Sequence, residues 1–367
     1  MDFGKLKTEP YAAFLYSGRA PGKKHILAYG MEKEVKTLSA AKQEEGRLYG
    51  YFGYNLRHEL ENYPEDRKAY TLTPPLHLVK MRNEEVVEGQ LQLPKSTAIP
   101  RITSFNSNMS DAEYLQKVEY IVEQIKAGEL YQANLTRKYF GEFEEEPDTF
   151  NIFCRLAEIS PAPYSAYMRM GDVHIISASP EKFITMENNK VVSMPIKGTL
   201  TSARPAAELA ASEKDRAENL MIVDLMRNDL ARVCRNVRVE NLFEVTSYPQ
   251  YHHMASTIIG ETDAKAVDVL TACFPPGSMT GAPKIAAVKL CTELEGWERG
   301  IYSGALGWIE PKACDLSVVI RTLIISGKRY EFQVGGGIVA DSVPEREFEE
   351  TISKASGILK VLGLDGS

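Results

Sequence analysis

The sequence predicts an α+β fold with two facing antiparallel β-sheets and outer helices, and three observations carry this. Segments 174–177, 191–194, 317–325 and 330–334 have the Val, Ile and Tyr content of strands. The last two are separated by Ser326-Gly327-Lys328, which reads as a hairpin and therefore as antiparallel pairing. Three long amphipathic segments read as helices, and they do not alternate with strands as βαβ units would.

Taken in order, 12–16 and 48–54 alternate as short strands. A polar connector with Pro94 and Pro100 at about 93–103 marks the expected boundary between an N-terminal part, 1–100, and a main region, 101–367, packed as one globular unit. The first helix starts after Ser110, with Glu113 completing a capping box. Its apolar positions are Leu115, Val118, Val122 and Ile125, and Gly128 stops it. A second helix is predicted from about Pro205 to Val233. A third begins near Pro344, with Ser342 and Glu345 as a capping box and Phe348, Ile352, Ala355, Leu359 and Leu362 as the buried stripe.

Composition narrows the function. A net charge of −7 is unsuited to a nucleic-acid surface, which needs clustered Lys and Arg. It leaves room for a locally basic site on an acidic protein. Five widely spaced cysteines with no CxxC pair suit reduced thiols. The first residues carry no apolar leader, and the apolar run 316–325 is interrupted by Arg321 and too short to span a bilayer. A cytoplasmic protein with no membrane contact is the expectation.

The third helix presents Glu347, Glu350 and Lys354 on one face, and the second presents Asp215 and Glu218 at i,i+3. Such carboxylates could hold a hard cation such as Mg²⁺, which takes few protein oxygens and bridges to an anionic ligand. From spacing alone, solvated ion pairs are the default explanation, and the metal reading needs a further observation. Gly335-Gly336-Gly337 follows a strand and reads as a loop whose N–H groups could face an anion, or as a β-bulge. Arg321, in the middle of an apolar strand, needs an anionic partner from the protein or a ligand. The adjacent His252 and His253 would point to opposite faces of a strand, which argues against a shared metal.

The motifs Pro195-Ile196-Lys197-Gly198-Thr199, Glu218-Asn219-Leu220-Met221, Arg227-Asn228-Asp229-Leu230, Pro276-Gly277-Ser278-Met279-Thr280-Gly281-Ala282-Pro283-Lys284, Tyr302-Ser303-Gly304-Ala305 and Gly335-Gly336-Gly337-Ile338 recur in this order in one group. Together with Glu350-Thr351 they resemble the chorismate-utilising enzymes: the anthranilate, aminodeoxychorismate, isochorismate and salicylate synthases. The resemblance runs from about residue 110 to 362. It implies an anthranilate synthase component I-like fold and Mg²⁺ on Glu218 and Glu350, with Glu347 and Asp215 nearby or acting through water. It implies that Arg321, the glycine segment, Lys354, Thr199, Gly198, Thr280, Gly281, Tyr302 and His253 contact substrate, and that Glu181 is the general acid for the C4 hydroxyl.

Two positions distinguish the branches. Anthranilate synthases usually carry Ala where Lys197 stands, and aminodeoxychorismate synthases carry Lys. The resemblance implies that Lys197 attacks C2 of chorismate and is displaced by ammonia at C4. Isochorismate and salicylate synthases tend to place a lysine base where Gln132 stands, and glutamine has no proton to take up at neutral pH. The implied function is amination of chorismate to 4-amino-4-deoxychorismate for 4-aminobenzoate and folate, with ammonia from a separate class I glutamine amidotransferase subunit. Anthranilate synthesis is the neighbouring alternative and a non-catalytic chorismate-binding regulator the remoter one. Phe14-Leu15-Tyr16-Ser17 stands where the family's tryptophan-binding Leu-Leu-Glu-Ser is usual, with Tyr in place of Glu.

Overall fold

A computed structural model describes residues 1–18, 24–61, 63–64, 71–248 and 251–364. It combines helices with strands that pair antiparallel throughout, as the sequence predicts. The pairings form one path. It starts at Arg235–Ser247 and passes through Tyr251–Glu261, Lys190–Met194, Lys182–Glu187, Ala313–Val318 and Ala305–Glu310. It continues through Leu48–Phe52, Leu76–Glu88, Lys24–Val35, Tyr11–Tyr16 and Tyr164–Met170. Val173–Ser179, Thr322–Ser326, Arg329–Ile338 and Gln132–Phe143 follow, and Ile102–Ser107 completes it. Strands from before residue 100 are thus built into the same network as those after it.

Ile196–Thr201 hangs on Tyr251–Glu261 near one end of this path, and Arg329–Ile338 lies near the other. The two are not paired, yet a Cβ placed on Gly337 would lie 2.9 Å from the Lys197 Nζ. The path therefore doubles back and brings its two halves face to face, with Lys197 between them.

Four sequence expectations change here. The predicted strand 317–325 is two strands, Ala313–Val318 and Thr322–Ser326, because Arg321 takes a left-handed φ of +49° in the break between them. The three glycines are not a loop: all lie in Arg329–Ile338, in register with Thr136, Leu135 and Asn134. The second helix is two, Ala206–Ala211 and Glu213–Ala231, because Ser212 leaves helical geometry and caps the longer one through the Asp215 N–H. The third helix, Pro344–Leu362, has no capping box: Pro344 opens it, and the Ser342 hydroxyl donates to Glu347 instead.

Its buried stripe is also rotated. Glu347, Thr351, Ala355, Ile358 and Leu362 face inward, while Ile352 is exposed and Phe348 and Leu359 are half-buried. The lower part packs on Phe150, Phe153 and Leu156. The rotation follows from tertiary contacts: Ala355, Ile358, Val361 and Leu362 join that cluster, and this leaves Glu347 of the upper part facing the cavity. The first helix, Asp111–Lys126, keeps its predicted capping box and buries Tyr114, Val118, Ile121 and Val122. All five cysteines are free, and among the described residues no helix is long and apolar enough to cross a membrane.

Candidate active site

A cavity of about 610 Å³ lies between the two halves of the sheet network and the helices Glu213–Ala231 and Pro344–Leu362. It is lined by Glu181, Lys197, Gly198, Thr199, Asp215, Glu218, His253, Tyr302, Arg321, Gly335, Gly337, Glu347, Glu350 and Lys354, all candidates from sequence. Gly336, Gln132, Thr280 and Gly281 do not line it. The last two lie one layer behind: Gly281 pairs with Ala133 at a φ of +131°, and a Cβ there would meet the Gln132 carbonyl at 2.1 Å. Gln132 is fully buried, with neither amide atom hydrogen-bonded, and its Nε2 lies 2.9 Å from a Cβ placed on Gly337.

Glu181 follows the strand Val173–Ser179 and is 5% exposed. Burial raises its pKa to about 7, against hydrogen bonds from Ser278 and the Ile196 N–H and the nearby Lys197 charge. Lys197 is half-buried, and desolvation lowers its pKa, with Lys354 adding to the fall and Glu218, Glu181 and Glu350 opposing it. An acid and an amine thus share one corner, each drawn toward its neutral form.

The carboxylates lie beside this corner: a Cβ placed on Gly198, next to Lys197, would lie 3.0 Å from the Asp215 Oδ1. Burial raises the pKa of Glu218, and the neighbouring Asp215 and Glu350 charges add to the rise against Lys197 and Lys214. Burial likewise raises Glu347, whose Oε1 accepts from Ser342 at 2.6 Å. Desolvation pulls Glu350 up, but Lys354, at 2.5 Å, together with Lys197 and Lys214 brings it below the usual range. The i,i+4 ion pair of the simpler reading therefore exists, its side chains 39% and 49% exposed, and both partners line the cavity. Asp215 is partly spoken for, because its Oδ2 accepts from Ser212 at 2.5 Å.

Among the described residues no three His, Cys, Asp or Glu side chains are already gathered tightly enough to hold an ion. The donor set still suits a hard cation. Glu218 and Glu347 are each pushed toward the neutral form, by burial and then by the neighbouring carboxylate charge, which a cation would offset; Mg²⁺ completes its shell with water and substrate oxygens rather than with a full protein cage.

Arg321 is half-buried, and its guanidinium lies 5.6 Å over the Tyr251 ring with no carboxylate paired to it among the described residues. The left-handed turn at this residue directs it into the cavity rather than along a strand. His253 Nδ1 lies 2.9 Å from the Thr199 hydroxyl, and burial, then Arg321, lowers its pKa to about 3, so the ring is neutral. His252 is turned to Ser247 and the Arg204 carbonyl, as strand alternation requires. Lys354 also donates to the Gly335 carbonyl at 3.0 Å.

The glycines act by absence. At Gly337 a side chain would press on both Lys197 and Gln132 at 2.9 Å. Gly337→Ala is therefore expected to keep the fold while lowering kcat/KM about 100-fold, since displacing a reacting group by about 1 Å costs that much. Steady-state kinetics beside a thermal melt checks it.

Sequence reasoning missed Asn134, Ser278 and Tyr251, which also line the cavity. Ser278 stood inside a quoted motif, and its hydrogen bond to Glu181 was the missing signal. Asn134 lay two residues from Gln132 on the same strand face.

This fold and this set of groups define an enzyme for an anionic small molecule. The chain belongs to the chorismate binding enzyme family, which it matches over residues 5–360, and it is a chorismate-converting enzyme. It is 35% identical to aminodeoxychorismate synthase component 1 of Escherichia coli, across 87% of this chain and 77% of that protein. It is 37% identical to anthranilate synthase component 1 of Aquifex aeolicus, across 72% of this chain and 55% of that protein. The crystal structure of anthranilate synthase component I from Streptococcus pneumoniae superposes with a TM-score of 0.81 at 26% identity, covering 92% of each chain. The menaquinone-specific isochorismate synthase of Escherichia coli shares the fold, with a TM-score of 0.83 at 17% identity, covering 99% of this chain and 91% of that one.

Proposed function

We infer that the chain aminates chorismate at C4, giving 4-amino-4-deoxychorismate and water. The observation that carries this is the Lys197 amine beside the Glu181 carboxyl, each held toward its neutral form by burial. A neutral amine is a nucleophile and a neutral carboxyl is a proton donor, and an addition with loss of hydroxide needs both. Lys197 forms a C–N bond at C2, both ring double bonds move round the ring, to C1=C6 and C4=C5, and the C4–O bond breaks. Glu181 supplies the proton that lets the oxygen leave as water. Ammonia then bonds to C4, the double bonds return to their first positions, the C2–N bond breaks to release Lys197 as the neutral amine, and the surplus proton of the new C4 ammonium returns to Glu181. Arg321 and Lys354 meet the substrate carboxylates, and neutral His253 with Thr199 closes the polar wall beside them.

Glu218 and Glu350 would hold Mg²⁺, with Glu347 and Asp215 contributing through water. When bound, the ion neutralises a substrate carboxylate and the carboxylate cluster together. Glu350→Gln is expected to raise the Mg²⁺ concentration for half-maximal turnover at least about tenfold, the scale seen when a metal-site partner is lost. A Mg²⁺ titration of activity checks it, and an unchanged curve counts against Glu350 as a ligand.

The component 1 relatives support a separate glutamine amidotransferase as the ammonia source. In that case the purified chain turns over chorismate with ammonium chloride and not with glutamine alone. No turnover with either would favour the non-catalytic regulator. The anthranilate synthase relative keeps C2 amination as the second reading; there Lys197 would orient substrate. Folate synthesis and a cytoplasmic setting complete the proposal.

A further inference from the structure

Tyr114 is the fourth residue of the capped helix Asp111–Lys126 and is fully buried. Its hydroxyl has no hydrogen-bond partner. A buried hydroxyl left without a partner costs about 1–3 kcal/mol, so its retention calls for a use. The ring is fixed from two sides: the Arg137 guanidinium lies 5.6 Å from it and the Phe348 ring 6.2 Å. Arg137 also lies 4.9 Å over Phe348 and donates to Asp111 at 2.7 Å. Together these contacts tie the first helix to the upper part of Pro344–Leu362, the part that carries Glu347 and Glu350.

The hydroxyl points at the same small space. Above the bare Cα of Gly336, the Glu347 Oε2 and the Tyr114 hydroxyl lie 3.4 Å and 4.0 Å from the point where a side chain would begin. Ser342 already occupies the other Glu347 oxygen. Burial raises the Tyr114 pKa, and the Glu347 and Glu350 charges raise it further, so the phenol keeps its proton and can only donate to a carboxylate there.

We propose that Tyr114 is a positioning residue for the cation-binding wall: its unpartnered hydroxyl takes Glu347 Oε2 as acceptor across the space above Gly336 when the cation is held, and so aims this carboxylate into the cavity. This rests on the Mg²⁺ reading above. It also accounts for Gly336, the one residue of the glycine triplet that does not line the cavity: a side chain there would fill the gap between the two oxygens.

The test is Tyr114→Phe, which removes one oxygen and keeps the ring packing. Two quantities are read: the Mg²⁺ half-saturation of ammonia-dependent turnover, and the rise in Tm on adding MgCl₂ to the protein alone. The expected result is half-saturation raised about tenfold, a smaller Mg²⁺-induced rise in Tm, kcat at saturating Mg²⁺ within twofold of the parent, and a metal-free Tm equal to or above the parent's. An unchanged Mg²⁺ response in Tyr114→Phe, with a shifted one in Glu350→Gln, overturns the role of Tyr114 and leaves the metal reading standing. A lowered metal-free Tm with unchanged half-saturation makes Tyr114 merely structural and also overturns it. A parent protein indifferent to Mg²⁺ in both measurements removes the metal reading and the proposal with it.

Discussion

Lys197→Ala is expected to lower C4 amination by about three orders of magnitude or more, the scale seen when a covalent nucleophile is removed. Chorismate binding changes far less, because Arg321, Lys354 and the carboxylate wall are untouched. The lysine is costly to the folded protein. Its amine is desolvated and sits among Glu181, Glu218, Glu350 and the like charge of Lys354. The variant is therefore expected to melt at the same temperature as the parent or higher, since an active-site group held in a strained setting exchanges stability for activity. A substrate-orienting lysine predicts a raised KM with kcat little changed. Kinetics on chorismate with saturating ammonium separates the two, and near-parental kcat would remove the nucleophile from the scheme.

Glu181→Gln is the second large effect: a fall in kcat of about 10²–10⁴-fold, the usual contribution of a positioned proton donor. The pH profile gives it a signature. Glu181 must be protonated to act, so with its pKa at about 7 the rate falls as pH rises through that value. Lys197 must be neutral, so the rate rises with pH as its lowered pKa is passed. The product of the two is a bell in kcat/KM, and the Gln variant loses the alkaline limb near pH 7. Stability carries the same sign. The folded protein binds a proton at Glu181 that the unfolded chain has released above its ordinary value of 4.5. Glu181 therefore costs stability progressively as pH rises from about 4.5 through about 7, and Gln removes that dependence. Melting temperatures of both proteins across this range check it without any assay of turnover.

Much of the site was legible because its chemistry sits in residues whose identity is constrained. Lys197, Glu218 and Glu350 stand in quoted motifs, Glu181 and Arg321 follow from the family resemblance, and all five line one cavity. The fold class was legible from hairpin-linked strands and capped helices. What failed were, with one local exception at Ser212, readings that depend on partners far away in sequence. Three glycines have poor strand propensity, yet they are strand because Gln132–Phe143 supplies the ladder and larger side chains would collide. Arg321 looked like part of an apolar run, and only tertiary structure puts it in a left-handed turn between two strands. The third helix was read one position out of rotation because Ile352 and Phe348 are apolar, whereas burial of Glu347 and Thr351 answers to the cavity. Ser212 splits a segment whose periodicity is otherwise continuous, since one hydroxyl can cap a new helix more favourably than the old one continues. Tyr114 carried no signal at all: an aromatic on a helix face reads as core until its hydroxyl is seen to lack a partner.

Product identity tests the central claim most directly. The purified chain is incubated with chorismate, Mg²⁺ and ammonium chloride, and the products are separated and weighed by mass spectrometry. The account predicts 4-amino-4-deoxychorismate, which a 4-amino-4-deoxychorismate lyase converts to 4-aminobenzoate. Anthranilate as the product would contradict it, leaving the fold and the carboxylate wall intact while reducing Lys197 to a residue that orients substrate.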